Sequence, residues 1–177
     1  AAAAVPGVVY GLFGLVCIVP AVEWLFDVPE GRGLTAAVLT VTCMVLPGLL
    51  ATGIRFFQAV PQRMRRAACA LSAGRLQIAR RVVLPAAARP LLGAIVQSGI
   101  RAIGASAVVV MVAGNSPQLP RTLTDAVRTL AGTLLLEAGS AQDHHLHLLF
   151  SIGAVLLLTV LLLQAISSRL LRSGRDE

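Results

Sequence analysis

Two long segments without a formal charge constrain the fold of this chain more than any other feature. Residues 34–54 and 146–168 cover 21 and 23 positions that contain no Asp, Glu, Lys or Arg. A helix needs about 20 apolar residues to cross the hydrocarbon core of a bilayer, and a run of about 18 is the usual threshold for expecting one. We therefore expect a membrane-spanning helix at each of these two positions.

Two weaker apolar segments, residues 5–22 and 90–113, extend the pattern to the rest of the chain. Only 13% of the residues are charged and 56% are hydrophobic, whereas a soluble domain carries about 25% charged residues. The sequence thus predicts an all-α, polytopic membrane protein with about four transmembrane helices, at residues 5–22, 34–54, 90–113 and 146–168.

The charged residues are distributed unevenly between the loops of this scheme. Residues 55–89 hold eight of the 15 arginines and no acid, and residues 169–175 hold three more arginines. Loops rich in Lys and Arg stay in the cytoplasm. We therefore expect both segments to be cytoplasmic, and the acidic loop 23–30 and the connector 114–145 to lie outside. Membrane orientation explains the basic excess, so we expect no nucleic-acid partner, since that needs a soluble basic face.

The basic segment has the pattern of two short helices joined by a turn. Met64, Ala67 and Leu71 recur at the spacing of one helical face, and arginines fill the other faces. Small residues at 72–74 supply the turn, and a second helical piece leads to Pro85. Two interpretations stay open at this point: a knob that docks into another subunit, or a basic hairpin that lies on anionic membrane lipid.

Several phrases of the chain, in register, resemble a known family. Residues 67–87, AACALSAGRLQIARRVVLPAA, resemble the cytoplasmic coupling loop of bacterial ABC importer permeases, the Glu-Ala-Ala loop. The surrounding phrases resemble the phosphate-specific permeases, and among these the C-type subunit. They are VPGVVYGLFGL at 5–15, QAVPQRMRRAA at 58–68, RAIGASAVVVMVAGNSPQ at 101–118, VRTLAGTLLLEAG at 127–139 and DHHLHLLFSIG at 143–153.

The resemblance implies a function and a set of partners. The chain would be an inner-membrane permease subunit of a phosphate importer, with a coupling loop at 55–89. Its expected partners are a second permease, cytoplasmic ATPase subunits and a periplasmic phosphate-binding protein. The ATPase subunits would hydrolyse the nucleotide, so no enzymatic activity and no cofactor are expected of this chain. Because the first spans of the family are missing, we also expect the sequence to be incomplete at its N-terminus.

Two groups of candidate site residues follow from these patterns and from the resemblance. The expected ATPase-coupling surface consists of Met64, Arg66, Ala67, Ala68, Leu71, Ser72 and Gly74. The expected substrate path includes Arg101, Ser106 and Asn115. Arg101 should lie within the bilayer, where a charge costs at least about 2.5 kcal/mol and normally marks a function. Its guanidinium could offer a fork of hydrogen-bond donors to a phosphate in transit.

The chain departs from the family pattern at several positions. Arg66 stands in place of the Glu of the loop, Ser72 in place of its Gly, and Ala105 in place of a Glu in the third span. An acidic pair is also replaced by Ile54 and Arg55. These losses motivate two alternative functions, a degenerate membrane subunit that does not transport, or a permease for another oxyanion such as molybdate or sulfate.

A cluster of histidines precedes the last apolar segment. His144, His145 and His147 follow Asp143, and such a composition is also found at zinc sites. No Cys lies nearby and no second cluster completes a coordination shell. We therefore expect no metal here, and a polar cap at the external membrane interface.

Two local patterns make predictions about structure. Thr122 and Asp125 have the spacing of a capping box, so a short surface helix should begin there. Gly7 and Gly11 form a Gly-xxx-Gly pair, which permits close helix packing. We expect this pair to pack against spans outside this chain or against a partner permease.

Overall fold

A computed structural model describes residues 5–173, and it consists of helices joined by turns and one irregular connector. The helices of the described residues are α1 (Gly7–Phe26), α2 (Leu34–Ala59), α3 (Gln62–Ala70), α4 (Arg75–Ile103), α5 (Ser106–Val112), α6 (Leu130–Glu137) and α7 (Asp143–Ser173). Four of them, α1, α2, α4 and α7, are long and apolar enough to cross a membrane. The predicted all-α fold with four long apolar helices is confirmed.

Two of the long helices contain a widened turn directly before a proline. In α1 the N–H of Val19 donates to the carbonyl of Gly14, five residues back, and Pro20 follows. In α4 the same widening occurs at Ala79–Val83, before Pro85. Proline has no N–H and its ring crowds the preceding turn, and a wider turn relieves that crowding. The second helical piece predicted after the turn at 72–74 is therefore the first part of α4, and the helix continues through Pro85.

The third predicted span, residues 90–113, does not coincide with one helix. α4 ends at Ile103 and α5 begins at Ser106. Between them Ala105 leaves the helical conformation, with φ −80 and ψ 37. A hydropathy pattern registers the length of an apolar run but not a break within it, so the sequence did not show this interruption. The long apolar helix here is Arg75–Ile103, which starts before the predicted span and ends within it.

The chain divides into two compact units, which also separate its charges. The first comprises residues 1–47 and 101–160, the second residues 48–100 and 161–177. Among the described residues, the first unit holds four arginines and six acids, and the second holds ten arginines and no acid. The basic and acidic loops that are separate in the sequence therefore also belong to different units of the structure.

Small residues line the core of the first unit. A Cβ added to Gly11 would lie 2.6 Å from Sδ of Met111, and one added to Gly7 would lie 3.5 Å from Cγ2 of Val108. Both glycines therefore pack against α5, so the expectation that they face spans outside the chain is wrong. The buried core residues nearby are Val19, Val22, Ala36, Ala37, Val112, Ala113 and Val127.

The connector after α5 caps the start of α2. The first N–H groups of a helix have no partner within it. Here the N–H of Leu34 donates to the carbonyl of Asp125 at 3.0 Å, and that of Thr35 donates to Leu123 at 2.9 Å. The hydroxyl of Thr35 adds a 2.6 Å bond to the same Leu123 carbonyl. Gly33 permits this approach, because a Cβ there would collide with the carbonyl oxygen of Thr124.

These bonds explain why the helix expected at Thr122 does not form. A helix through that segment would use the carbonyls of Leu123 and Asp125 for its own N–H groups, but α2 occupies both. The first helix of the connector is α6, which begins at Leu130 after the cap Thr129. The prediction from the capping-box spacing is therefore wrong, because the segment hydrogen-bonds to a distant part of the chain.

In the second unit, α4 and α7 meet at a glycine. Oγ of the fully buried Ser167 donates to the carbonyl of Gly93 at 3.0 Å. A Cβ on Gly93 would lie 2.8 Å from the side chain of Leu171. This contact holds α4 close to the end of α7 within the unit that carries most of the arginines.

We predict that Gly14→Ala destabilises the protein by about 1–3 kcal/mol, the usual cost of overpacking. The new Cβ would collide with the side chain of Thr40 and lie 3.0 Å from Cγ1 of Val112. Gly153→Ala in α7 is the matched control, because nothing lies within 4 Å of its Cβ position. Thermal unfolding in detergent measures the difference, and equal melting temperatures for the two variants would refute the close packing of α1.

Candidate functional site

The predicted coupling segment contains a helix whose apolar face is open. No residue of α3 is buried. Met64 is 44% exposed and Leu71, which follows the helix, is 84% exposed. Ala67 lies between them on the same face and is exposed as well. An apolar face at helical spacing normally packs against another surface, so this face is suited to receive a partner.

The other residues of the predicted coupling surface have different settings. Arg66 lies two residues from Met64 and so points away from the apolar face, where its Nη2 donates to Oε1 of Gln62 at 3.0 Å. Ala68 is partly buried. Gly74 is exposed, and nothing lies within 4 Å of its Cβ position. The structure therefore brings Met64, Ala67 and Leu71 together and places Arg66 elsewhere on the helix.

Ser72 ends α3 in a conformation that usually requires glycine. Its φ is 58, in the left-handed region. The N–H of Ser72 donates to the carbonyl of Cys69 at 2.9 Å, and that of Ala73 donates to Ala68 at 3.2 Å. These two bonds form a Schellman motif, in which glycine is the preferred residue. The turn predicted from small residues at 72–74 is therefore centred on Ser72, the position where the resembled family carries its Gly.

Arg65 was not among the predicted coupling residues, yet it links α3 to the preceding helix. Its Nη2 donates to the carbonyl of Phe57 near the end of α2. Hydrophobic periodicity could not have singled it out, because it lies between two exposed arginines, Arg63 and Arg66, in an arginine-rich segment.

The three predicted path residues are not joined by hydrogen bonds to one another. Arg101 is exposed in the last turn of α4, and Ser106 is the first residue of α5. Nδ2 of Asn115 donates to the carbonyl of Val110 at 2.7 Å. The backbone carbonyl of Asn115 accepts from Nε of Arg128 at 2.9 Å. Asn115 therefore uses these groups to shape the start of the connector.

Because of the break after α4, Arg101 and position 105 do not lie on one face of a continuous helix. On a continuous helix, a residue four positions further on would share the face of Arg101. The helix ends at Ile103, and the side chain of Ala105 is buried. A carboxylate at position 105 would consequently be placed in the core of the first unit, which is costly for a charge without a partner.

A network of hydrogen bonds that the sequence did not predict joins α6 and α7 to the irregular connector. Nη1 of Arg128 lies 2.6 Å from Oε1 of Glu137, and Nε2 of His145 lies 2.8 Å from Oε2 of the same carboxylate. Through Asn115 the network reaches the end of α5. His145 is thus held by a carboxylate at the start of α7. Among the described side chains, no three His, Cys, Asp or Glu lie close enough together to hold a metal ion.

Asp125 closes a tight turn within the connector. Its Oδ2 accepts from the N–H of Arg121 at 2.7 Å and from that of Thr122 at 2.9 Å. Its Oδ1 accepts from the hydroxyl of Thr122. These bonds, that from the Thr122 hydroxyl first, hold the pKa of Asp125 below its ordinary value, because they favour the ionised carboxylate. At neutral pH the carboxylate of Asp125 is therefore ionised and accepts the hydrogen bonds that close this turn.

Sequence comparison places the chain in a family. The profile of the binding-protein-dependent transport system inner membrane component matches residues 1–174. The chain belongs to this family. Together with its four long apolar helices, this makes the transport component a multi-pass protein of the bacterial inner membrane.

Curated relatives of this transport component include permeases named for phosphate. The probable ABC transporter permease protein YqgH of Bacillus subtilis (strain 168) is 33% identical over 93% of the chain. The phosphate transport system permease protein PstC of Pasteurella multocida is 28% identical over 96%, and PstC 1 of Mycobacterium tuberculosis is 28% identical over 90%. The chain spans 55%, 59% and 54% of the lengths of these three relatives. No solved structure matches the chain. The predicted resemblance to phosphate transport permeases is confirmed.

We predict that Ser72→Gly stabilises the turn after α3 by about 1 kcal/mol, because glycine adopts the left-handed conformation without the strain of a Cβ. Ser72→Ala is the matched control, since it removes the hydroxyl but keeps the Cβ. Amide hydrogen exchange of Ala73, whose N–H closes the motif, reports the local stability. Equal exchange rates in the two variants would contradict the strained conformation.

Proposed function

We propose that this chain is a permease subunit of a phosphate ABC importer, which forms part of the membrane channel and couples to cytoplasmic ATPase subunits. The observation that carries the proposal is the open apolar face of Met64, Ala67 and Leu71, in the segment 55–89 that holds eight of the 15 arginines. The similarity to permeases named for phosphate transport supports the choice of substrate.

The coupling would follow the physics of a helix in a groove. The apolar face of α3 would enter a groove of the ATPase, where its residues lose contact with water. Closure of the ATPase dimer on ATP would then move α3 and switch the spans between outward-open and inward-open states. A second permease subunit would complete the channel, and a periplasmic phosphate-binding protein would deliver the ion. In this scheme the chain transmits force and lines the path, while nucleotide hydrolysis takes place on its partners.

We predict that Ala67→Asp lowers phosphate uptake by at least about tenfold, because it places an unpaired carboxylate in the buried contact. Cys69→Asp is the matched control. Cys69 is exposed on the same helix, two residues from Ala67 and so outside the apolar face. The measurement is uptake of labelled phosphate by the complete transporter in liposomes, with ATP hydrolysis recorded in parallel and membrane insertion checked for each variant.

The same assay separates the competing functions. Unchanged uptake in Ala67→Asp would overturn docking through this face. Competition by molybdate or sulfate at lower concentrations than phosphate would assign another oxyanion. If the unsubstituted protein assembles with its partners but moves no oxyanion, the degenerate, non-transporting subunit is the correct description.

The proposed orientation places the arginine-rich segment 55–89 in the cytoplasm. We predict that a cysteine at Gln62 reacts with a membrane-impermeant maleimide only from the cytoplasmic side, and a cysteine at Gln118 only from outside. Both positions are exposed, and the native Cys17, Cys43 and Cys69 would first be replaced by alanine. Labelling from the opposite sides would invert the topology and exclude the coupling role of α3.

Arg101 is proposed to contact the ion in transit. Its guanidinium is exposed near the end of the third long helix, and its planar fork of donors fits two oxygens of a phosphate. We predict that Arg101→Leu abolishes phosphate uptake without reducing the amount of protein in the membrane. Arg101→Lys keeps the charge but not the fork, and should retain only a part of the uptake. Normal transport by Arg101→Leu would remove the residue from the path.

A further inference from the structure

One charged side chain of α3 reaches into the protein. Arg65 is partly buried, whereas Arg63 and Arg66 on the same helix are exposed. Its Nη2 donates to the carbonyl of Phe57. Its Nε is buried too, and no acceptor for it lies among the described residues. The guanidinium is therefore inserted into the junction between α2 and α3, unlike its neighbours.

The sequence explains why the carbonyl of Phe57 accepts a side chain. In an α-helix this carbonyl would accept from the N–H four residues later. That residue is Pro61, which has no N–H. Phe57 therefore lacks a helical donor, and the guanidinium of Arg65 supplies one. A cation is also favoured at this end of a helix, where the last carbonyls carry a partial negative charge.

The bond gives α3 a second attachment to α2. The first is the short link through Val60, which is only 6% exposed, and Pro61, which precedes α3 with φ −55. A helix held by its link alone could rotate about that link, whereas a second contact further along the helix restricts the rotation. Arg65 makes this contact one residue after Met64, so the apolar face with Leu71 stays free for a partner.

We propose that Arg65 is a positioning residue that transmits a displacement of α3 to α2 in the transport cycle. The proposal rests on the proposed function, since the displacement would come from the ATPase bound to the apolar face. Arg65 itself touches neither nucleotide nor substrate. Its contribution is that a force applied to α3 moves the end of a membrane-spanning helix with it.

A spectroscopic test addresses the attachment without any partner or substrate. A nitroxide on the exposed Cys69 of α3, with Cys17→Ala and Cys43→Ala, reports the motion of the helix in liposomes. We expect Arg65→Leu to increase the mobility of the label, and Arg63→Leu, which removes an exposed arginine from the same helix, to leave it unchanged. Arg65→Lys should restore part of the restraint, because an ammonium can still donate to Phe57. Equal spectra for Arg65→Leu and Arg63→Leu would overturn the attachment.

A transport test addresses transmission. In the complete transporter, Arg65→Leu should lower phosphate uptake per ATP hydrolysed by on the order of tenfold, as expected for the loss of a hydrogen bond to a charged group. ATP hydrolysis itself should continue, and Arg65→Lys should recover part of the ratio. An unchanged ratio, or loss of the ATPase subunits from the complex, would overturn the transmission role. Failure of the unsubstituted protein to transport phosphate would overturn the proposed function and transmission together, while the label mobility still decides whether Arg65 holds α3.

Discussion

The backbone groups at the two ends of α2 must find partners, and the structure next to each end depends on how they do so. At the start of the helix, the carbonyls of Leu123 and Asp125 accept the first N–H groups. At its end, Arg65 replaces the donor that Pro61 cannot provide. An unpaired backbone group in an apolar environment costs several kcal/mol on typical estimates. The connector at residues 123–125 and the side chain of Arg65 are consequently held in place by their bonds to α2.

The need to pair the end groups of α2 affects both the connector and α3. The connector cannot form the local helix suggested by Thr122 and Asp125, because its carbonyls cap α2, and it is instead braced by the carboxylate of Glu137. In α3, by contrast, the apolar face is open, and the side chain that reaches the end of α2 is the cation Arg65. In the first unit Arg128 and His145 are engaged by Glu137, whereas in the second unit the apolar side chains of α3 are exposed.

The sequence predicted those features that depend on composition over long windows. The four apolar helices, the arginine-rich segment and its turn are of this kind, and so are the phrases that resemble phosphate permeases. It could not predict features decided by contacts between distant residues. The break at Ala105 lies within an apolar run, and the pairing of Arg128 with Glu137 joins residues at no helical spacing. Gly7 and Gly11 had the correct packing motif, but only the structure shows that α5 of the same chain covers it.

The widened turns before Pro20 and Pro85 have a mechanical consequence. A proline supplies no N–H to the turn before it, so a membrane-spanning helix can bend there without breaking a hydrogen bond. At positions away from the prolines of α1 and α4, the same bend would expose backbone groups to lipid, which cannot replace the lost partner. α1 therefore has a point of low bending stiffness before Pro20, and α4 has such points before Pro85 and before its second proline, Pro90. Curvature imposed on either span will concentrate at these prolines.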